Sequence, residues 1–228
     1  MLRSCKTALA AIFLMAAPAA AEVELSLYMG LQSVDDSTVS GALPNGTVVN
    51  RKFKWDGNPL DNPYYYGARA TWWTANNLGF GIEGTHAKAY ASAADQAIIG
   101  TSRFELSDGH NIITANVLKR WPDAFAGSKF TPYIGAGLGI AVPHVDIQVI
   151  GSAGRTFGYE QTGIAARGIA GMKYAINDRW GLFGEYQIIW SDNDITVDPN
   201  PAIPAQTPTK LRTELVMHAV NIGISYSF

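Results

Sequence analysis

The stretch FTPYIGAGLGIAVPHVDIQ, residues 130–148, alternates between two kinds of residue. Phe130, Ile134, Ala136, Leu138, Ile140 and Val142 fall on even positions, and Thr131, Tyr133, Gly135, Gly137, Gly139 and Ala141 on odd ones. A helix brings every third or fourth residue to one face, so an apolar period of two is a strand signal. The signal recurs at roughly 23–34, 64–73, 78–90, 104–121, 158–174, 180–190 and 214–228. In the 104–121 segment Phe104 and Leu106 are even, whereas Ile113, Ala115 and Val117 are odd. The phase flips near Asp108-Gly109, which predicts a β-bulge.

These segments are long enough to cross a bilayer, where about 9–11 tilted residues suffice. The connections at 74–77, 122–129 and 175–179 are short, whereas 35–63 and 191–213 are long. The expected fold is therefore all-β: an eight-stranded antiparallel transmembrane β-barrel with short periplasmic turns and longer extracellular loops. Turn registers give a further expectation. Centring one hairpin on Asn76 sets Arg69 against Glu83, Ala70 against Ile82 and Trp72 against Phe80, so charge meets opposite charge and apolar meets apolar across the pair. Centring another on Asn177 sets Met172 against Leu182 and Arg167 against Gln187. Aromatics gather at strand ends, as membrane interfaces favour. Trp72, Trp73, Trp121, Phe130, Tyr174, Trp180, Tyr226 and Phe228 lie toward the short turns, and Tyr64, Tyr90, Phe104 and Trp190 toward the long loops.

The N-terminus has the pattern of a secretory leader. Arg3 and Lys6 precede an apolar run at 7–17, and Ala19-Ala20-Ala21 fits a small-residue cleavage site. The expected organisation is a signal peptide over 1–21 and one barrel over 22–228. The single cysteine, Cys5, lies in the leader, so no disulfide is expected in the barrel. The formal net charge of −2 argues against nucleic acid as a partner. No later run of 18 apolar residues could form a membrane-spanning helix.

The inward faces carry charge. Glu24, Arg69, Glu83, Asn116, Tyr133, Arg167, Lys173, Glu185 and Asn221 are the expected interior polar set, with Gly135, Gly137 and Gly139 leaving room for long neighbours. Such a set is either an ion path or a salt-bridged filling, and an eight-stranded barrel is only wide enough to be filled. The glycines sit inside a strand with no helix after them, so they do not form a dinucleotide-binding loop. His86, His110 and His144 fall near the long-loop ends of three neighbouring strands, with Asp108 and Asp146 close in sequence. Imidazoles and carboxylates gathered at one rim can ligate a divalent metal or transfer protons. His86, Asp108, His110, His144 and Asp146 are the candidate catalytic residues, and His86, His110, His144 and Asp146 the candidate metal ligands. The spacing matches no strict motif, and the same residues can simply contact water or headgroups. If His86 keeps the phase of Leu78 and Phe80 it faces lipid, which points to lipopolysaccharide as ligand or substrate.

FTPYIGAGLG resembles many small outer-membrane barrels of the OmpA and OmpW kind. The terminal NIGISYSF resembles the last strand by which such barrels are recognised for assembly, which implies the outer-membrane assembly machinery as a partner. Taken together, PYYYGARATWW, GFGIEGTHAKAY, FELSDGHNIITANVLKRWPD, FTPYIGAGLGIAVPHVDIQ and INDRWGLFGEY resemble the alphaproteobacterial lipid A oxidase family. The resemblance implies O2-dependent oxidation of the proximal glucosamine of lipid A to 2-aminogluconate, with hydrogen peroxide as by-product. Lipid A and the outer-membrane bilayer are the implied partners. No flavin or nicotinamide motif is present, so a divalent metal at the rim is the cofactor expected. The alternative reading is a non-catalytic, OmpA-like structural or binding barrel of the outer membrane.

Overall fold

The computed structural model describes residues 22–228 apart from Asp123; the leader expected over 1–21 lies outside them. Twelve strands and one short helix follow in order: β1 (Glu22–Val34), β2 (Ser37–Ala42), β3 (Val48–Phe53), β4 (Trp55–Asp56), β5 (Tyr65–Trp73), β6 (Leu78–Ala91), α1 (Ala93–Ile99), β7 (Thr101–Arg120), β8 (Phe130–Val149), β9 (Thr156–Tyr159), β10 (Gly163–Ala175), β11 (Trp180–Val197) and β12 (Thr209–Ser227). Eight of them, β1, β5, β6, β7, β8, β10, β11 and β12, form an antiparallel path. Because β1 pairs with β5 on one side (Tyr28↔Gly67) and with β12 on the other (Leu27↔Ile224), the path returns to its start and leaves no edge.

The register follows the side chains. Arg69↔Glu83, Ala70↔Ile82 and Trp72↔Phe80 pair as the Asn76-centred turn requires. Asn77 takes the left-handed conformation there, with φ 61°. The other turn differs by one residue at its centre: Met172 pairs with Gly184 and Arg167 with Ile189. The side-chain oxygen of Asn177 accepts from the amides of Arg179 (3.0 Å) and Trp180 (2.9 Å), which moves the centre to Asp178. Both registers keep each residue on its predicted face, since a two-residue slip preserves the pleat.

The wall has two storeys of opposite polarity. In the lower one, Leu27, Met29, Ile82, Leu138, Ile164 and Ile222 point outward and are exposed, as a lipid-facing belt demands. Inside, Arg69 donates to Glu83 (3.2 Å) and Glu185 (2.8 Å), and Arg167 pairs with Glu83. Tyr28 donates to Glu83 (2.6 Å), Tyr133 to Glu185 (2.8 Å) and Asn116 to Glu83 (2.7 Å). Lys173 pairs with Glu24 nearer the short turns. The whole expected interior set faces inward, and Gln187, which bridges Glu83 and Glu185, joins it. Glycine gives these side chains their space. A Cβ on Gly137 would lie 1.8 Å from Asn116 Oδ1, and one on Gly171 2.4 Å from the Tyr133 ring.

In the upper storey the apolar residues turn inward. Phe53, Trp55, Phe104, Leu106, Ile195 and Leu211 are buried there, with Phe104 edge-on to Phe53 (5.7 Å) and Trp55 (5.5 Å). The β2–β3 hairpin docks on the top of β12 through Val39↔Thr213, β4 on β6 through Trp55↔Ala91, and β9 on β8 through His144↔Tyr159. Thus β11 runs to Val197 and β12 starts at Thr209, beyond the expected ends, because above the lipid belt the alternation persists with its polarity reversed. Ser92 caps α1 by accepting from the Asp95 amide, and Gly100 ends it at φ 77°. Two aromatics leave their expected girdles. Trp73 faces inward beneath Arg120, because adjacent strand residues point to opposite faces and Trp72 takes the outer one. Phe104 belongs to the upper core.

Candidate functional site

The outer column of β8 passes from hydrocarbon chemistry to headgroup chemistry within a few residues. Leu138, Ile140 and Val142 are followed on the same face by His144 and Asp146. His144 is 7% exposed, held edge-on by Phe157 (4.4 Å) and Tyr159 (4.9 Å) from β9. Its Nδ1 lies 3.6 Å from Asp108 Oδ2, and the Tyr159 hydroxyl donates to the Asp108 carbonyl at 3.0 Å. Asp146, 2% exposed, accepts two bonds from Arg155 (2.7 and 2.6 Å) and one from Arg103 (3.1 Å). Burial alone would raise its carboxyl pKa; Arg155 and Arg103 outweigh burial and hold it below the usual range.

The β-bulge expected near Asp108-Gly109 is present. The β7–β8 register shifts between Glu105 and His110, the β6–β7 register between Ala87 and Ala89, and Gly109 has φ 120°. The bulge carries Asp108 outward to His144 and seats Gly109 against His86, whose imidazole would be 2.8 Å from a Cβ at that position. His86 keeps the phase of Phe80 and faces out, stacked on Tyr66 (5.0 Å) with Nδ1 3.1 Å from Asn111 Oδ1. His86, Asp108 and His144 therefore flank one bulge on the outer wall.

His110 does not join them. It stays in phase with Ile112 and Thr114, points into the barrel and is fully buried, with Nε2 3.0 Å from Ser191 Oγ. Asp146 is engaged by two arginines. Among the described residues no group of three or more His, Cys, Asp or Glu side chains could hold a metal ion, so His86, His110, His144 and Asp146 do not form the donor set expected of them. Arg103, Arg155, Phe157 and Tyr159 complete the rim. In the sequence Arg155, Phe157 and Tyr159 show only a short alternation at the start of the strand expected over 158–174, and Arg103 carries no signal.

Residues 7–228 match the outer membrane protein beta-barrel domain family. The chain belongs to that family. No curated protein matches its sequence. Among solved structures, it is similar to the outer membrane protein OprG from Pseudomonas aeruginosa, at 13% identity and TM-score 0.58 over 92% of this chain and 96% of that one. The outer membrane protease OmpT from Escherichia coli is similar at 9% identity and TM-score 0.51, over 91% and 97%. Neisserial surface protein A gives 16% identity and TM-score 0.47 over 91% and 97%. The likenesses to OprG and OmpT concern the fold. The protein is an outer-membrane β-barrel, and its apolar belt lies in the bilayer.

Proposed function

We propose that this barrel acts on lipid A at its outer rim, oxidising the proximal glucosamine to 2-aminogluconate with O2. The observation that carries this reading is the Asp108–His144 pair, set on the lipid-facing side of the wall where the apolar column of β8 gives way to polar groups. A lipid A sugar lies at that depth with its acyl chains against the belt below. The filled interior adds support, because chemistry on a bulky glycolipid belongs outside such a barrel. The resemblance of residues 63–186 to the lipid A oxidase family supplies the reaction.

In that reaction C1–H and the C1 hydroxyl together give two electrons and two protons to O2. The products are the lactone and hydrogen peroxide, and water opens the lactone to the carboxylate. His144, held edge-on by Phe157 and Tyr159 with Asp108 beside it, receives the hydroxyl proton. Phe157 and Tyr159, 56% and 63% exposed, offer rings for the sugar's C–H face. Among the described residues no metal donor set is assembled at this rim, so the proton transfer rests on His144 and its neighbour Asp108.

Mass spectrometry of lipid A from cells with and without the gene tests the reading. The expected product is heavier by one oxygen on the proximal sugar. His144→Ala should abolish it, and Lys129→Ala at the opposite rim should not. Unchanged lipid A with the protein folded in the membrane would leave the non-catalytic barrel as the answer.

A further inference from the structure

A second outward-facing group lies across the barrel, on β11 and β12. The Tyr186 hydroxyl is 2.5 Å from His218 Nδ1, and His218 Nε2 is 3.3 Å from Asp35 Oδ2. The rings of Tyr186 and His218 stack at 6.0 Å and 24°. Asp35 follows directly on β1 and is held there by its amide, which donates to the Val216 carbonyl at 2.9 Å. The order of groups fixes the roles. A carboxylate at Nε2 keeps the proton on that nitrogen, which leaves the Nδ1 lone pair to accept from the phenol. A hydroxyl, a base within hydrogen-bond reach and a third group orienting the base together are the signature of an activated nucleophile.

We propose that Asp35, His218 and Tyr186 form an esterolytic site, with Tyr186 as the nucleophile and an acyl-ester lipid of the outer leaflet as substrate. Depth argues for that substrate. Below Tyr186 the same face carries Leu182, Ile222 and Ile224, all exposed, as hydrocarbon contact requires. Above it the face carries one more apolar side chain, Ile188, and then ionic and polar pairs, Arg212 with Asp192 at 2.7 Å and Trp190 with Glu214 at 3.1 Å. The relay thus sits between the acyl-chain layer and the charged layer, where ester carbonyls lie. Tyr186 is 43% exposed and within reach of them.

The chemistry balances without a redox partner. The phenol oxygen bonds to the ester carbonyl carbon while its proton passes to His218 Nδ1. The acyl–oxygen bond breaks, and the leaving alcohol takes that proton. Water then attacks the acyl-tyrosine, and its proton returns through His218 to the phenolate. One ester and one water become one acid and one alcohol.

The structure supplies its own control. Tyr66 is stacked on His86 in the outer wall in the same way and is 54% exposed, but His86 Nδ1 faces Asn111 and its Nε2 has no partner among the described residues. The test uses the full-length protein in phospholipid vesicles, treated with a long-chain alkyl fluorophosphonate and read by intact mass and peptide mapping. A single adduct on Tyr186 is expected, with none on Tyr66. His218→Asn should slow its formation about 100-fold, as loss of a positioned base does, and Tyr186→Phe should remove it. Asp35→Asn, at an exposed position, should also slow labelling and serves if His218→Asn does not fold. No adduct on Tyr186, equal labelling of Tyr66, or an unchanged rate in the folded variants would overturn the proposal. Lipid A oxidation is read separately, and Tyr186→Phe leaves it intact.

Discussion

At the scale of single residues, Asp146 shows how a carboxylate stays ionised on a largely buried stretch of wall. It is above the apolar belt, and Arg155 grips both of its oxygens. Its folded pKa lies below that of an unfolded aspartate, about 3.9. The sign follows from linkage. The stabilisation is complete above the unfolded value and is lost as pH falls through the lower folded one. Arg155 and Arg103 are 42% and 49% exposed at the side chain, so solvent screens much of the attraction and the effect is modest. Urea unfolding from bilayers at a series of pH values should show wild type losing stability on the acid side of about pH 4. Asp146→Asn should be less stable at neutral pH and flatter toward acid. An acid limb of the same steepness in both proteins would mean that other carboxylates carry the dependence.

At the scale of elements, the upper storey is held by packing between short pieces distant in sequence. Phe104 on β7 touches Phe53 on β3 and Trp55 on β4, and all three are buried. Phe104→Ala leaves a cavity that β2 and β3 cannot collapse to fill, and should cost about 3–5 kcal/mol. Val48→Ala, at a residue 78% exposed in the same hairpin, should stay within about 0.5 kcal/mol. Equal losses in urea unfolding would deny the hairpin its role as a lid. This division also explains what could be read in advance. The membrane storey was legible because its alternation has one polarity over eight segments, so the interior set from Glu24 to Asn221 and the outward His86 came with it. The upper storey was not. Val39 and Val49 lie in six-residue strands whose burial depends on distant partners, and Asp192 and Asp194 look like loop until one knows that they stand above the lipid. His110 shows the remaining limit: a bulge at 105–110 can be seen in the phase, but not which face its last residue keeps.

At the scale of the whole molecule, two independent fillings close the bore. The middle holds Arg69 and Arg167 against Glu83 and Glu185, all within a few per cent of full burial, so charges cancel at the level where an ion would have to pass. Toward the periplasm the space lined by Glu24, Arg69, Tyr133 and Lys173 amounts to about 20 Å³, room for roughly one water. Toward the exterior the apolar core beneath β2, β3 and β4 lies over the bore. An ion entering from outside meets hydrocarbon first and a neutralised network second, and neither offers hydration in exchange. Purified protein in a planar bilayer should therefore give no stepwise conductance at neutral pH. Glu83→Ala strips the network of a carboxylate that accepts from both arginines, and breaking such a buried pair costs about 3–5 kcal/mol. It should destabilise the barrel without opening it, because the upper core still seals the mouth. Steps in wild type would refute the closed bore, and steps confined to Glu83→Ala would assign the seal to the charged network alone.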